Sequence, residues 1–139
     1  MVKRHIIESA EEFVRLREST DPADYNLATL SDASLSVWLD VICRFPEMKR
    51  WVVHNKSVPM QILEKLSFDD DLDVRIAVAT KRKLSRSIFD RLAIDKDLMV
   101  RKTLAWNAKL PADILELLRQ DSEAFVRSAA EERIAALSR

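Results

Sequence analysis

The chain has 139 residues, of which 47% are hydrophobic and 33% are charged, and this composition excludes both a disordered chain and a membrane-spanning one. Its 23 basic and 23 acidic residues give a net charge of zero, which argues against a general affinity for nucleic acid. Glycine is absent, so the sequence contains no glycine-rich phosphate loop, dinucleotide-binding fingerprint or nucleophile elbow.

The N-terminal third of the chain carries three helix-start signals. Residues 9–12, Ser-Ala-Glu-Glu, form a capping box ahead of an apolar stretch and predict the first helix. Asp21, which is followed by proline, predicts a second helix that runs to about Leu30. Ser31 or Asp32 is expected to cap a third helix, which carries apolar residues at helical spacing.

From residue 46 onward, one pattern of residues recurs every 26 positions. The dipeptide Val-Arg begins at Val74, Val100 and Val126, and an aspartate precedes each one at constant spacing. Two apolar series keep the same register, namely Ile62, Ile88 and Ile114, and Leu66, Leu92 and Leu118. Such a period is typical of short helices arranged in repeated pairs.

Each repeat is predicted to contain two helices separated by an aspartate-rich turn. First helices are expected over residues 59–67, 85–93 and 111–119, and second helices are expected to begin near Met48, Val74, Val100 and Val126. Helices of about ten residues are marginal in water by themselves, so packing against neighbours must stabilise them. We therefore predict one all-α domain, residues 1–139, with an N-terminal helical cap over residues 1–31 and repeats over residues 32–139.

Two asparagines are predicted to close second helices. Asn55 and Asn107 lie 52 residues apart, at the same position of the repeat. Because glycine is absent, we expect both to adopt the left-handed conformation that ends many helices. Their role is interpreted as structural.

The single cysteine and the N-terminal segment bear on the cellular compartment. Cys43 cannot form an internal disulfide and lies within a helical pattern, so we expect a small buried apolar residue there rather than a nucleophile. The N-terminal segment has acidic residues where a signal peptide would have an apolar core. The sequence therefore predicts a cytoplasmic protein without a membrane partner.

The repeat resembles the HEAT-like repeats. Its pattern is Pro-x-x-Ile-Leu-x-x-Leu, as in residues 111–118, with an aspartate and Val-Arg-x-x-x-Ala, as in residues 100–105. The short period is most similar to the variant leucine-rich repeats of bacterial proteins. The pattern departs from the family at Ser85, where other units have proline, and at Met48, which replaces the first valine of Val-Arg. The resemblance implies a right-handed α-solenoid whose second helices line a concave surface, and members that mostly bind proteins.

Charged residues concentrate in two kinds of turn. Aspartates lie in the turn that enters each second helix, where they complement the helix dipole or, alternatively, form a ligand site. Basic residues such as those at positions 81–83 lie in the turn that leaves it. Residues 69–73 lack the glycine and final glutamate of a calcium loop, so no metal site is predicted there. Arg75, Arg101 and Arg127 are interpreted as structural braces to the aspartates.

Function is expected at positions that differ between the repeats. The constant residues mark the buried side of each second helix, and the opposite face carries large apolar and basic side chains. The candidate partner-binding residues on that face are Arg50, Trp51, His54, Ile76, Met99, Lys102 and Trp106. Tryptophan and arginine anchor many protein interfaces. The alternative is that the superhelix curls tightly and that Trp51 and Trp106 pack between repeats.

The sequence shows no catalytic or metal-binding motif, and neither an enzymatic activity nor a cofactor is predicted. His5 and His54 are far apart, and no serine or cysteine stands in an activating motif. His54 could act as a general base with Asp73 or Glu47. An exposed histidine on a binding face is the preferred interpretation.

Three functions remain open. The first is a monomeric solenoid that binds one protein partner, such as an immunity protein that neutralises a bacterial toxin domain, a role suggested by resemblance in size and fold. The second is nucleic-acid binding through Lys81, Arg82, Lys83 and Lys102, with Trp51 or Trp106 stacked on a base. The third is an accessory scaffold subunit of an enzyme complex, which the neighbouring gene would distinguish from the first.

Overall fold

The computed structural model describes residues 4–139 and is predominantly helical, as the sequence predicted. The described residues form ten α-helices and two short strands. No helix within that range is long and apolar enough to cross a membrane. The chain divides into two compact units, the first ending at Leu66 and the second comprising Ser67–Arg139. The boundary between an N-terminal cap and the repeats at residues 31 and 32 stays a prediction.

The first unit contains both strands and five of the helices. These elements are β1 (Ile6–Ile7), α1 (Ala10–Glu18), α2 (Pro22–Leu30), β2 (Asp32–Ala33), α3 (Leu35–Arg44), α4 (Lys49–His54) and α5 (Met60–Leu66). A short 3-10 helix, Pro46–Met48, leads into α4. The two strands pair in parallel, with Ile6 opposite Asp32. Helix α1 contacts α2 and α3, and α3 contacts α4 and α5.

The core of the first unit forms around Trp38 on α3. The rings of Phe13 and Trp38 meet edge to face with their centres 5.2 Å apart, and both side chains are fully buried. Leu16, one turn after Phe13, is buried beside them because residues three apart share a helix face. Burial of these large apolar side chains fixes α1 against α3.

The first two helices start where the sequence predicted. Ser9 Oγ accepts a hydrogen bond from the Glu12 N–H at 3.0 Å. The Glu12 carboxylate in turn accepts from the Glu8 N–H at 2.8 Å, so the capping residues satisfy two free donors. Asp21 caps α2 by accepting from the Ala23 N–H at 2.9 Å. Both predicted caps are confirmed.

The third helix starts later than the sequence predicted. Helix α3 begins at Leu35, and Ser34 Oγ accepts from the Val37 N–H at 3.3 Å. The predicted cap at Ser31 or Asp32 is wrong because this segment forms β2 and pairs with β1. Strand β2 has only two residues, and its partner β1 precedes α1 and α2 in the chain, so the sequence around β2 gives no local signal of the pairing.

The second unit contains the remaining five helices. They are α6 (Leu72–Ala79), α7 (Arg86–Ala93), α8 (Leu98–Ala105), α9 (Ala112–Arg119) and α10 (Ala124–Leu137). Helix α8 contacts α6, α7, α9 and α10. The positions of α5, α7 and α9 confirm the predicted first helices, and those of α4, α6, α8 and α10 confirm the second helices. Val74, Val100 and Val126 are fully buried, as the constant register predicted.

Arginine side chains connect the aspartate-rich turns of the second unit. Arg75 Nε donates to the Asp95 carboxylate at 2.9 Å, and its Nη1 donates to the Asp69 carbonyl at 2.9 Å. Arg101 repeats the arrangement with the Asp121 carboxylate at 2.8 Å and the Asp95 carbonyl at 2.6 Å. Each arginine thus joins the turn before its own helix to the turn one repeat later. The predicted structural bracing between repeats is confirmed for Arg75 and Arg101, and its hydrogen bonds are of the strong charge-assisted type.

The same aspartates also shape the starts of the second helices. Asp95 Oδ1 accepts from the Asp97 N–H at 2.9 Å, and Asp97 caps α8 by accepting from the Met99 N–H at 2.8 Å. Arg127 Nη1 extends the series by donating to the Asp121 carbonyl at 2.8 Å. Carboxylates at these positions satisfy N–H groups that the helix itself leaves free.

The two asparagines do not adopt the predicted left-handed conformation. Asn55 has φ −59°, and none of the residues within 4–139 has a positive φ. The buried amide of Asn55 instead donates to the carbonyls of Ala28 at 2.8 Å and Ser31 at 2.9 Å. Asn107 likewise donates to the Ala79 carbonyl at 2.8 Å. The prediction was wrong because these side chains bind carbonyls in the last turns of α2 and α6 rather than adjust their own backbone.

Cys43 is exposed, and the prediction of a buried residue was wrong. The buried residues of α3 are Trp38, Val41 and Ile42. Successive residues turn by about 100° around a helix, so Cys43 lies beyond the edge of the buried face that ends at Ile42. The periodic pattern of apolar residues does not decide whether a single residue at that edge is buried or exposed.

Candidate functional site

The predicted partner-binding residues fall into two groups, one in each compact unit. Arg50, Trp51 and His54 lie on α4 in the first unit. In the second unit, Met99, Lys102 and Trp106 line one cavity. Ile76 lies on α6, is half-buried and does not belong to the lining residues of that cavity. A continuous groove that includes all seven residues stays a prediction.

Trp51 is the centre of the group in the first unit. The guanidinium carbon of Arg17 lies 3.7 Å from the centre of the Trp51 ring and 4.8 Å from that of the Tyr25 ring. Arg50 also approaches Trp51, with its guanidinium carbon 5.9 Å from the ring centre. His54 meets Trp51 edge-on at 6.0 Å, and its Nε2 lies 3.2 Å from the Tyr25 hydroxyl. We call these five residues the Trp51 cluster.

The sequence did not predict two members of the Trp51 cluster. Arg17 comes from the last turn of α1 and Tyr25 from α2, both outside the repeat pattern. Helix α1 packs against α2, and the side chains of Arg17 and Tyr25 reach Trp51 and His54 on α4, an arrangement that no sequence spacing encodes. Trp51 is half-buried because Arg17 covers its ring, while Tyr25 keeps 44% of its surface exposed. The cluster therefore presents an aromatic surface with a cation held inside it.

The second group surrounds a cavity of about 490 Å³, which we call the Trp106 cavity. Its lining includes Thr80, Arg82, Met99, Lys102, Thr103 and Trp106, and no carboxylate is present among the described lining residues. Trp106 is 45% exposed and Met99 is 43% exposed. The surface thus combines an indole ring, a flexible thioether and two cations. Tryptophan, methionine and arginine are enriched where proteins bind one another.

The neighbouring helix adds an aromatic side chain near the Trp106 cavity. Lys102 Nζ lies 5.9 Å from the centre of the Phe125 ring, and Phe125 is 68% exposed. Thr103 Oγ1 donates to the Met99 carbonyl at 2.7 Å and lies along the same turn of α8. The exposed apolar surface therefore continues from the cavity to the start of α10.

A second, smaller cavity of about 280 Å³ lies at the ends of α7 and α9. Ile94 and Leu117 line it and are 76% and 53% exposed. Arg101 and Asp121, which also line it, are already hydrogen-bonded to each other. The sequence reasoning did not single out these apolar residues because first helices otherwise carry polar side chains on their outer face. Exposed apolar side chains in a cavity mark a second possible contact surface.

The acidic turns are occupied by structural hydrogen bonds. Asp69 Oδ1 accepts from the Asp71 N–H at 2.9 Å, and Asp71 Oδ1 accepts from the Asp73 N–H at 2.8 Å. Over residues 4–139, no group of three or more His, Cys, Asp or Glu side chains is placed to hold a metal ion. The carboxylates of residues 69–73 thus serve the start of α6.

The pKa shifts of the carboxylates occur at ion pairs rather than at the two candidate groups. Burial raises the pKa of Asp121, but hydrogen bonds from Arg101 and the Glu123 N–H, with the nearby positive charges, outweigh it and hold the pKa below its usual 3.8. The hydrogen bond from Arg86 lowers the pKa of Asp113 in the same way. Structural ion pairs perturb pKa values just as active sites do, so these shifts do not indicate a catalytic site.

Comparisons with known proteins found no matching family model, curated protein or solved structure. The resemblance to HEAT-like repeats therefore rests on the sequence pattern alone. The helices, the buried register and the braces are properties of this chain itself.

Proposed function

We propose that this chain is a non-catalytic, cytoplasmic and monomeric right-handed α-solenoid of HEAT-like, variant leucine-rich repeats that binds one protein partner. In this proposal, the second helices α4, α6, α8 and α10 present their variable residues to the partner. The 26-residue register supports the solenoid, because it correctly predicted the helix positions, the buried valines and the arginine braces. Repeats of this kind provide extended binding surfaces.

The observation that carries the proposal is the Trp106 cavity. Three residues selected only for their repeat position, Met99, Lys102 and Trp106, line one cavity together with Arg82. An exposed tryptophan at the edge of a cavity can bury a large apolar area when a partner side chain enters. Since the cations of Lys102 and Arg82 border the same space, a partner with both apolar and acidic side chains fits it best.

Within this class, we propose a toxin-neutralising immunity role. The mechanism is occlusion, in which Trp51, Trp106 and Met99 contact apolar sites of the toxin domain while Arg50 and Lys102 meet its acidic groups. Charge complementarity would speed the encounter of the two proteins. A scaffold subunit of an enzyme complex would use the same surface, so the protein encoded by the neighbouring gene decides between the two roles.

The test is binding to the proteins encoded beside this gene, measured by calorimetry with purified components. We expect a one-to-one complex whose affinity falls about 30-fold or more in Trp106→Ala, as for an interface residue contributing about 2 kcal/mol. Leu137→Ala is the matched control, because Leu137 is 62% exposed and lies outside the cavity. Unchanged affinity in both Trp51→Ala and Trp106→Ala would rule out the proposed surface.

A second candidate function is nucleic-acid binding, favoured by the presence of Arg82, Lys102 and Trp106 in one cavity. A single strand would place phosphates on the cations and stack a base on the indole. The expected result is a gel shift of a labelled oligonucleotide that weakens steeply with salt. No shift at low salt, while the neighbouring protein binds, would leave protein binding as the function.

A further inference from the structure

The guanidinium of Arg17 is buried without the hydrogen bonds that a buried cation normally makes. Its Nε and Nη1 atoms are inaccessible to solvent, and neither has a hydrogen-bond partner in the described part of the chain. Arg75 is also buried, but its nitrogens donate to the Asp95 carboxylate and to two backbone carbonyls. Unpaired buried donors are destabilising, so the Arg17 arrangement calls for a compensating interaction.

Two aromatic rings hold the Arg17 guanidinium in place. It lies 3.7 Å from the centre of the Trp51 ring and 4.8 Å from the centre of the Tyr25 ring. Ring faces attract a cation but do not replace the negative charge or lone pairs of a carboxylate. The position of the guanidinium is therefore fixed while its charge remains unneutralised. Nη2 is not one of these buried unpaired atoms, so it is the nitrogen that we expect a ligand to contact.

A second cation lies beside the first. Arg50 is exposed, and its guanidinium carbon lies 5.9 Å from the centre of the Trp51 ring. Neither Arg17 nor Arg50 forms an ion pair with any carboxylate between residues 4 and 139. Other arginines of the chain do have aspartate partners, namely Arg4, Arg44, Arg75, Arg86 and Arg101. The Trp51 cluster thus contains two positive charges without a carboxylate partner, whereas the protein pairs several of its other arginines with aspartates.

We propose that the Trp51 cluster binds the carboxylate side chains of an acidic peptide segment on the protein partner. This inference rests on the proposed function, since it names the chemistry that the first unit recognises. Arg17 Nη2 and the Arg50 guanidinium donate to the Asp or Glu carboxylates, and the planar guanidinium matches the geometry of a carboxylate. The exposed Tyr25 ring and the edge of Trp51 contact the aliphatic parts of the same segment.

The pre-positioned cation explains why a weakly satisfied arginine is useful at this site. A flexible surface arginine loses rotamer freedom when it binds a carboxylate, which reduces the affinity. Arg17 already contacts two rings and has two buried nitrogens, which restrict its rotamers, so we expect much of this loss to precede the arrival of the partner. The ligand also supplies the negative charge that the free protein lacks. The bound state therefore gains more from Arg17 than from an ordinary exposed arginine.

The experiment measures binding of a fluorescent peptide rich in Glu and Asp to the full chain by anisotropy at low salt. A peptide with Gln and Asn at the same positions is the charge-free comparison, and inorganic phosphate is the competing anion. We expect Arg17→Met to weaken binding of the acidic peptide by roughly tenfold or more, as the loss of a charged hydrogen bond implies. Arg50→Met should have a smaller effect in the same direction, since Arg50 is solvent-exposed.

Arg119→Met is the matched control, because Arg119 is exposed and pairs with Glu116 outside the cluster. Arg17→Lys keeps the charge but removes the planar guanidinium, so its affinity should lie between those of the wild type and Arg17→Met. Circular dichroism melting curves check that each variant folds, and Arg50→Met tests the site even if Arg17→Met does not fold.

Several results would overturn the inference. Equal binding of the acidic and charge-free peptides, or of the wild type and both methionine variants, would remove the carboxylate site. Displacement of the peptide by phosphate at lower concentrations than by free acidic peptide would assign the site to phosphate instead. If Trp106→Ala abolishes binding of the neighbouring protein while Arg17→Met and Arg50→Met do not, the inference fails and the proposed function stands. If the acidic peptide binds in an Arg17-dependent way but no protein partner binds, the carboxylate site stands and the proposed function fails.

Discussion

Substitution of Arg75 by methionine tests whether the braces, rather than helix propensity, hold the second unit together. Arg75 and Asp95 side chains are each only 7% exposed, and two arginine nitrogens contact the carboxylate at 2.9 and 3.3 Å. Nη1 also donates to the carbonyls of Asp69 and Asp70 at 2.9 and 3.1 Å. Arg75→Met retains much of the aliphatic volume but removes all four hydrogen bonds.

The expected destabilisation is large for a single side chain. Removing one partner of a buried ion pair leaves an uncompensated charge, and the usual loss is about 3–5 kcal/mol. We expect about 3 kcal/mol, at the lower end, because Asp95 keeps its hydrogen bond from the Asp97 N–H. Small domains are stable by about 5–15 kcal/mol, so this loss is a substantial part of the total.

Urea unfolding followed by far-ultraviolet circular dichroism measures the effect. With an m-value of about 1–3 kcal/mol/M, the midpoint of Arg75→Met should fall by roughly 1 M or more. The matched control is Arg86→Met, because Arg86 bridges Asp90 and Asp113 at 54% exposure and should have little effect in water. If Arg75→Met shifts the midpoint no further than Arg86→Met, the braces do not stabilise the unit as argued.

Two further predictions concern the other buried polar contacts of the second unit. Asn107→Ala leaves the Ala79 carbonyl without its side-chain donor and should lower the unfolding free energy by about 1–3 kcal/mol. Asn26→Ala is the control, because Asn26 is exposed and its loss should not change stability. Equal urea midpoints for the two variants would contradict this prediction. The pKa of Asp121 is lower in the folded protein than the usual 3.8, so its ionised form contributes stability above about pH 4 that is lost as the pH falls through the folded pKa. Urea midpoints of the wild type and Asp121→Asn should therefore differ at neutral pH and converge in acid, and a constant difference would argue against the Arg101 pairing.

The repeat register predicted most of the second unit because its stabilising contacts are themselves periodic. Ile88 and Val100 are buried because their positions recur with the helix pairs. The Asp95 brace recurs one repeat later at Asp121, and the constant spacing of aspartate and arginine indicated such bracing without showing that each carboxylate partner lies one repeat further on. Because the same contacts recur in successive repeats, comparing the repeats with one another shows which positions are structural.

The sequence was less informative where contacts are made only once. The pairing of β1 with β2 moved the start of α3, and no local signal distinguishes such a strand from a helix cap. The asparagine amides reach backbone carbonyls in the last turns of other helices, whereas the local preference of asparagine suggested a left-handed helix end. Arg17 joined the candidate site through the approach of α1 to α4, which periodicity does not describe. Candidate residues on repeats were therefore easier to find than their partners outside them.

The sequence separation of the braces has a consequence for folding speed. Arg75 and Arg101 each reach an aspartate 20 residues along the chain, and Asn107 reaches back 28 residues. Closing loops of this length costs less entropy than closing longer ones, and proteins rich in local contacts fold quickly for their size. The second unit can therefore form its helices and braces soon after those residues leave the ribosome.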